Sequence, residues 1–195
     1  MAKRAPKKPA KTAKKEATPV SSAAGAPEAG GDVDPALEDR LYLELDGGRV
    51  VIHLRPDLAP KHVARIKELA RQKFYDGIVF HRVIAGFMAQ TGDPTGTGTG
   101  GSGVKLPAEF SRESHVRGTC SMARTADPNS ADSQFFIVFE PAPHLNGQYT
   151  VWGQVIAGME HVDAVKKGAP GSGTVQDPDR IKSMSVAADV KGAKA

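Results

Sequence analysis

The sequence predicts a domain dominated by β-structure, an antiparallel barrel or sandwich with only two helices, and three observations carry that prediction. Apolar and polar residues alternate over many short runs; Gly, Pro and Asp separate those runs; and just two stretches have helical spacing. A βαβ sheet would need a helical stretch between most strands, and the sequence lacks them.

Leu41, Leu43 and Leu45 alternate with Tyr42 and Glu44, and Asp46-Gly47-Gly48 then turns the chain. Val50, Ile52 and Leu54 alternate in their turn with Arg49, Val51 and His53, which completes a β-hairpin pattern. After Pro60, Val63, Ile66, Leu69 and Ala70 fall at helical spacing, with proline suited to a first turn and Gly77 beyond the end. Further strands are expected around Ile78 to Ile84, Phe87 to Gln90, Thr119 to Ala123, Gln134 to Phe139, Thr150 to Ile156 and Ile181 to Ala188. A second helix is expected over Met159 to Lys167, ended by Gly168. Side chains two apart on a strand share a face, so Gln134 with Phe136, and Met88 with Gln90, can point into one groove. Phe135, Ile137 and Phe139 do not all follow, and Phe87 needs a bend to join Met88.

With 195 residues, 39% apolar and 25% charged, the chain has the composition of one soluble globular domain. One cysteine, Cys120, cannot form an internal bridge, so a reducing compartment is allowed. The six histidines stand far apart and no pair has the close spacing of a zinc or iron site, so no metal is expected.

The charge is unevenly placed. Of 26 basic and 22 acidic residues, seven and two fall within residues 1–30, leaving 19 against 20 for the rest. The basicity therefore belongs to the tail. Residues 1–36 are mostly Ala, Lys, Pro, Ser and Gly, with no Leu, Ile or Phe before Leu37, and are expected to be disordered; residues 37–195 form the folded domain. No apolar run serves as a secretory signal or a membrane span, and the cytoplasm is the expected compartment. The tail can attach loosely to nucleic acid, ribosomes or an anionic surface, or it can be a solvated extension that touches nothing in particular. Its lack of aromatic residues for base stacking favours the second.

Gly96-Thr97-Gly98-Thr99-Gly100-Gly101 formally satisfies a dinucleotide-binding glycine pattern. It fails on context, because loop residues precede it and Ser102 to Pro107 cannot start the helix that would hold a pyrophosphate. A glycine loop that approaches a ligand with bare backbone is the expectation. No serine sits in a nucleophile elbow, and Cys120 lies in an apolar run typical of a small buried hydrophobe. With no evident nucleophile, metal or paired carboxylates, the chemistry needs no bond making.

Three segments belong together. They are Phe80-His81-Arg82-Val83-Ile84-Ala85-Gly86-Phe87-Met88-Ala89-Gln90-Thr91-Gly92-Asp93; Ser121-Met122-Ala123-Arg124 with Ser133-Gln134-Phe135-Phe136-Ile137; and Leu145-Asn146-Gly147-Gln148-Tyr149-Thr150-Val151-Trp152-Gly153. In order and spacing they resemble the cyclophilins over about Leu41 to Asp189, and the longer Asp127-Pro128-Asn129-Ser130-Ala131-Asp132 connection resembles bacterial members. The resemblance implies a closed eight-stranded antiparallel barrel, a helix capping each end, and a proline-binding groove on the outside. It implies peptidyl-prolyl cis-trans isomerase activity that aids protein folding, with no cofactor, acting as a monomer on proline-containing peptides and unfolded or nascent chains.

By position, Arg82 matches the family's catalytic arginine. Phe87, Met88, Phe136 and Leu145 match the apolar proline pocket, and Gln90 and Gln134 match groups that hold the peptide backbone. Ala123, Arg124 and Gly98-Thr99-Gly100 match the neighbouring site for the residue before proline. Two positions depart from the familiar eukaryotic pattern, with His144 in place of a rim tryptophan and Tyr149 in place of a histidine. Tyrosine can still line the groove and donate a hydrogen bond. Loss of the indole predicts weak binding of cyclosporin, the family's characteristic inhibitor. Arg124, in place of a small polar residue, suggests a preference for Glu or Asp before proline. The rival function is a proline-binding module or holding chaperone without turnover; an intact Arg82 argues for the enzyme.

Overall fold

The computed structural model describes residues 35–194. The tail expected over residues 1–36 lies outside them except for Pro35 and Ala36, which open an unpredicted four-residue helix α1, Pro35–Glu38. Eight strands follow: β1 Arg40–Leu45, β2 Gly48–Leu54, β3 Arg82–Ile84, β4 Met88–Thr91, β5 Thr119–Met122, β6 Phe135–Val138, β7 Val151–Ala157 and β8 Ser183–Val186. Helix α2, Pro60–Arg71, falls between β2 and β3, and helix α3, Met159–Asp163, follows β7.

The strands form one antiparallel sheet in the order β3-β4-β6-β5-β7-β2-β1-β8. The predicted hairpin is present, with Leu45 paired to Gly48 and Leu41 to Ile52. One expectation is corrected: the sheet is open between β3 and β8, where a closed barrel was expected. Its cause is local. β3 is only three residues long, and an irregular segment, residues 168–174, lies along its outer edge with one isolated Arg82–Thr174 bridge and a few backbone hydrogen bonds in place of a strand; another lone bridge joins Val79 and Arg180. Ile78 and Phe80 alternate inward as strand residues do, yet Phe80 bonds the Asp179 carbonyl instead of joining a ladder.

Helix α2 turns His62, Val63, Ile66, Leu69 and Ala70 inward and packs on β7 and β8. Its first turn has no local side-chain cap; Glu109, far along the chain, accepts from the Lys61 and His62 backbone N–H groups at 3.2 and 3.0 Å. The second helix, expected to reach Lys167, stops at Asp163 and packs on β2.

The sheet has two apolar faces. Its concave face holds the main core, including Leu41, Leu43, Ile52, Phe135, Ile137 and Trp152, with Phe135 edge-on to Trp152 at 5.2 Å. On the other face a smaller cluster gathers Met88, Phe136, Val138, Ala142 and Leu145, flanked by Ile84, Phe87, Ala123 and Tyr149. Alternation along β4 and β6 produces this split: Ala89, Phe135 and Ile137 go inward, Met88, Phe136 and Val138 outward. An outward apolar cluster is what a ligand groove requires.

Candidate active site

Register places the outward side chains in rows. Arg82 on β3 pairs with Gln90 on β4, Gln90 with Phe136 on β6, and Phe136 with Ser121 on β5. Paired residues share a face, so a cation, an amide, an aromatic ring and a hydroxyl line up across four strands. The next row pairs Ile84 with Met88 and Met88 with Val138. Phe87 obtains the bend it needs from Gly86, whose φ of +71° turns the β3–β4 connection and brings the Phe87 ring to 5.4 Å from His144.

A cavity of about 310 Å³ opens on this face, lined by Arg82, Phe87, Met88, Gln90, Ala123, Arg124, Phe136, His144, Leu145 and Tyr149. Beside it a second cavity of about 390 Å³ has Gly98, Thr99, Gly100, Lys105, Asp132 and Gln134 in its lining, and shares Gln90, Ala123 and Arg124 with the first. The fourteen residues singled out from the sequence thus all line one or the other.

One hydrogen-bond chain joins the two cavities. Arg82 Nη1 donates to Gln90 Oε1 at 3.3 Å, and Gln90 Nε2 to Gln134 Oε1 at 3.0 Å. Gln134 Nε2 then donates to the Gly98 and Gly100 carbonyls at 3.0 and 2.8 Å. Gln134 thereby commits both of its N–H bonds to the glycine loop, whereas Gln90 keeps one for a ligand. The loop is held from beneath by Asp93, fully buried, whose carboxylate accepts from the Thr95 N–H and hydroxyl and from the Gly98 and Gly100 N–H groups. Burial alone would raise the Asp93 pKa; these bonds outweigh it and hold it at about 2.

His115 and Asn146 were not singled out from the sequence, and both support the groove. The buried His115 ring stacks behind Phe136 at 6.3 Å, with Nδ1 on Asn146 Oδ1 at 3.1 Å and Nε2 on the Ser121 hydroxyl at 2.8 Å. Because Asn146 Oδ1 only accepts, Nδ1 carries the proton and Nε2 takes the Ser121 hydrogen. Burial lowers the His115 pKa, so the ring is neutral near pH 7. Asn146 lies within the Leu145-Asn146-Gly147 motif, a signal that could have found it; His115 sits in no motif.

Arg124 turns Nε to the Gln148 carbonyl at 2.9 Å and Nη1 to the Thr125 carbonyl at 2.9 Å, with its charge 4.8 Å above the Tyr149 ring. Cys120 is fully buried and burial drives its thiol pKa far upward, so it is no nucleophile. Among the described residues no group of three His, Cys, Asp or Glu side chains could hold a metal, and no helix is long and apolar enough to cross a membrane.

Comparison with known proteins supplies the family. Residues 40–186 match the model of cyclophilin type peptidyl-prolyl cis-trans isomerases. A probable peptidyl-prolyl cis-trans isomerase of Brucella suis is 51% identical over 185 residues, covering 88% of this chain and 93% of that one. Peptidyl-prolyl cis-trans isomerase B of Bacillus subtilis is 46% identical over 129 residues, covering 65% of this chain and 90% of its own. Among solved structures, a cyclophilin of Cryptosporidium parvum determined in the presence of the dipeptide Ala-Pro superposes with a TM-score of 0.70 at 31% identity, covering 75% of this chain and 98% of that one. An eight-stranded sheet with an outward apolar groove and an arginine at its rim thus comes with close sequence kinship, and the chain belongs to the cyclophilin family. Its activity is that of a peptidyl-prolyl cis-trans isomerase.

Proposed function

We propose that Arg82 is the catalytic group and that the two cavities hold the proline and the residue before it. The observation that carries this is the placing of a guanidinium and an amide, Arg82 and Gln90, at the edge of an apolar cavity floored by Met88 and Phe136.

Amide resonance sets a rotation barrier of about 18–20 kcal/mol, and uncatalysed Xaa-Pro exchange takes tens of seconds or more. Twisting the bond destroys that resonance and leaves a lone pair on the proline nitrogen. Arg82 donates to this nitrogen as it becomes pyramidal, which stabilises the twisted state above either planar one. Phe87, Met88, Phe136 and Leu145 grip the ring, the free N–H of Gln90 holds the adjoining peptide, and Tyr149 closes the rim. One side then turns against a fixed other. Raising the rate from about 10⁻² to about 10 s⁻¹ takes only about 4 kcal/mol, within reach of one or two charge-assisted hydrogen bonds in a partly dry groove.

Gln134 acts through the glycine loop, which with Ala123 and Arg124 borders the site for the residue before proline. Arg124 has two of its nitrogens engaged by carbonyls, so its charge more than its geometry favours Glu or Asp there. The expected gain over Ala is a few-fold in kcat/KM across a series of Xaa-Pro peptides, and a series without any gain for acidic residues contradicts it.

The substrates are proline-containing segments of unfolded or nascent proteins in the cytoplasm, handled by a monomer. The deciding experiment is NMR exchange on a short Ala-Pro peptide, with Arg82→Ala as control. A holding module would bind the peptide without accelerating exchange.

A further inference from the structure

Residues 168–174 run along the free edge of β3 and meet it at several points. Val83 gives its N–H to the Gly173 carbonyl at 2.7 Å and accepts the Gly168 N–H at 2.8 Å. The segment is closed on itself by Gly173 N–H to the Ala169 carbonyl at 2.8 Å and Ala169 N–H to the Thr174 carbonyl at 3.0 Å. At its tip the Ser172 carbonyl accepts from Arg82 Nε at 3.1 Å. The next residue, Gly173, is buried with φ at +73°, and a Cβ there would stand 2.5 Å from Ile84 Cγ1 and 3.2 Å from Arg82 Cγ.

These contacts do more than close an edge. The two Val83 bonds suffice for that, and neither involves the arginine side chain. A guanidinium has five N–H donors in a rigid plane. Ser172 engages the Nε end and Gln90 one Nη1 hydrogen, and two bonds at separate points fix both the position and the tilt of the plane. The remaining Nη hydrogens are left to the groove. Both acceptors are neutral oxygens, so the charge on Arg82 stays uncancelled.

We propose that the Ser172-Gly173 turn is a positioning element for isomerisation, the Ser172 carbonyl and the bare Cα of Gly173 setting the angle at which the Arg82 guanidinium meets the proline nitrogen. It rests on Arg82 being the catalytic group. Gly173 is required because any side chain would drive into Ile84 and the Arg82 stem, and because positive φ strains other residues. A misplacement of about 1 Å can cost about 10²-fold in rate while leaving ground-state binding nearly intact.

The test is NMR exchange and peptide titration on the full chain carrying Gly173→Ala, Arg82→Ala, or both. Gly173→Ala is expected to lower kcat by about 10- to 100-fold with the peptide Kd changed less than about threefold, and to add less than about twofold once Arg82 is alanine. Wild-type kcat in Gly173→Ala overturns the proposal, and so does a loss repeated in full in the double variant, which marks a purely structural role. Should Arg82→Ala alone retain full catalysis, the reading of Arg82 fails first, whatever Gly173 does. Where Gly173→Ala does not melt cooperatively, the wild-type protein decides: the Arg82 Nε–H should exchange with solvent at least about tenfold more slowly than that of exposed Arg112, and equal rates overturn the proposal.

Discussion

At the scale of the residue, His144 separates catalysis from inhibitor binding. Its ring lies 5.4 Å from Phe87 at the exposed rim and lines the apolar cavity, but it offers a smaller surface than an indole. Cyclosporin is therefore expected to inhibit only at micromolar concentration, and His144→Trp to tighten inhibition by about tenfold or more with Ala-Pro exchange little changed. Nanomolar inhibition of the unaltered protein contradicts this. Some of the residue-level picture was legible in the sequence, because Gln134 with Phe136 and Met88 with Gln90 needed only strand alternation to share a face. His115 was not, since its role comes from a stack on Phe136 and a bond to Asn146, both distant in sequence, together with a bond to Ser121 that no periodicity marks.

The decisive element is the glycine loop on Asp93. Its pKa of about 2 lies below the ordinary 3.8 of an aspartate, so on acidification the unfolded chain takes up the proton first. The carboxylate thus contributes stability that is complete above about pH 4 and is lost as pH falls from about 4 to 2, amounting to about 2 kcal/mol. Asp93→Asn turns an amide N–H toward the Gly98 and Gly100 donors. It is expected to cost about 2 kcal/mol in urea unfolding at pH 7 and to flatten the stability profile between pH 4 and 2. An unchanged profile contradicts the assignment. The sequence showed a glycine loop unfit for nucleotides; that one buried carboxylate organises it follows from backbone geometry that composition does not encode. Element lengths were read less well. The apolar residues of Ile78 to Ile84 mark a buried stretch, but its inward parity switches between Phe80 and Val83, and a ladder also needs a partner of matching register; residues 175–181 supply only one isolated bridge and single bonds.

For the whole molecule, the antiparallel all-β class was legible because strand-length alternation and turn residues recur along the chain. Closure of the barrel was not, because it depends on what covers one short edge strand. The charge division adds a prediction at this scale. With the basic excess confined to residues 1–30 and no aromatic residue among them, removing those residues should leave Ala-Pro exchange unchanged and RNA binding at low salt the same. A marked fall in RNA affinity on truncation contradicts the reading of the tail as a solvated extension.

The central claim is that a fixed guanidinium lowers the energy of the half-turned imide. The most direct measurement is the cis-trans exchange rate of an Ala-Pro peptide with the intact protein and with Arg82→Ala, each at saturating peptide. Exchange far above the spontaneous rate, reduced about 10²-fold by the substitution while the peptide still binds, is the expected result. Equal rates for the two proteins, or exchange at the spontaneous rate with the intact one, would contradict it.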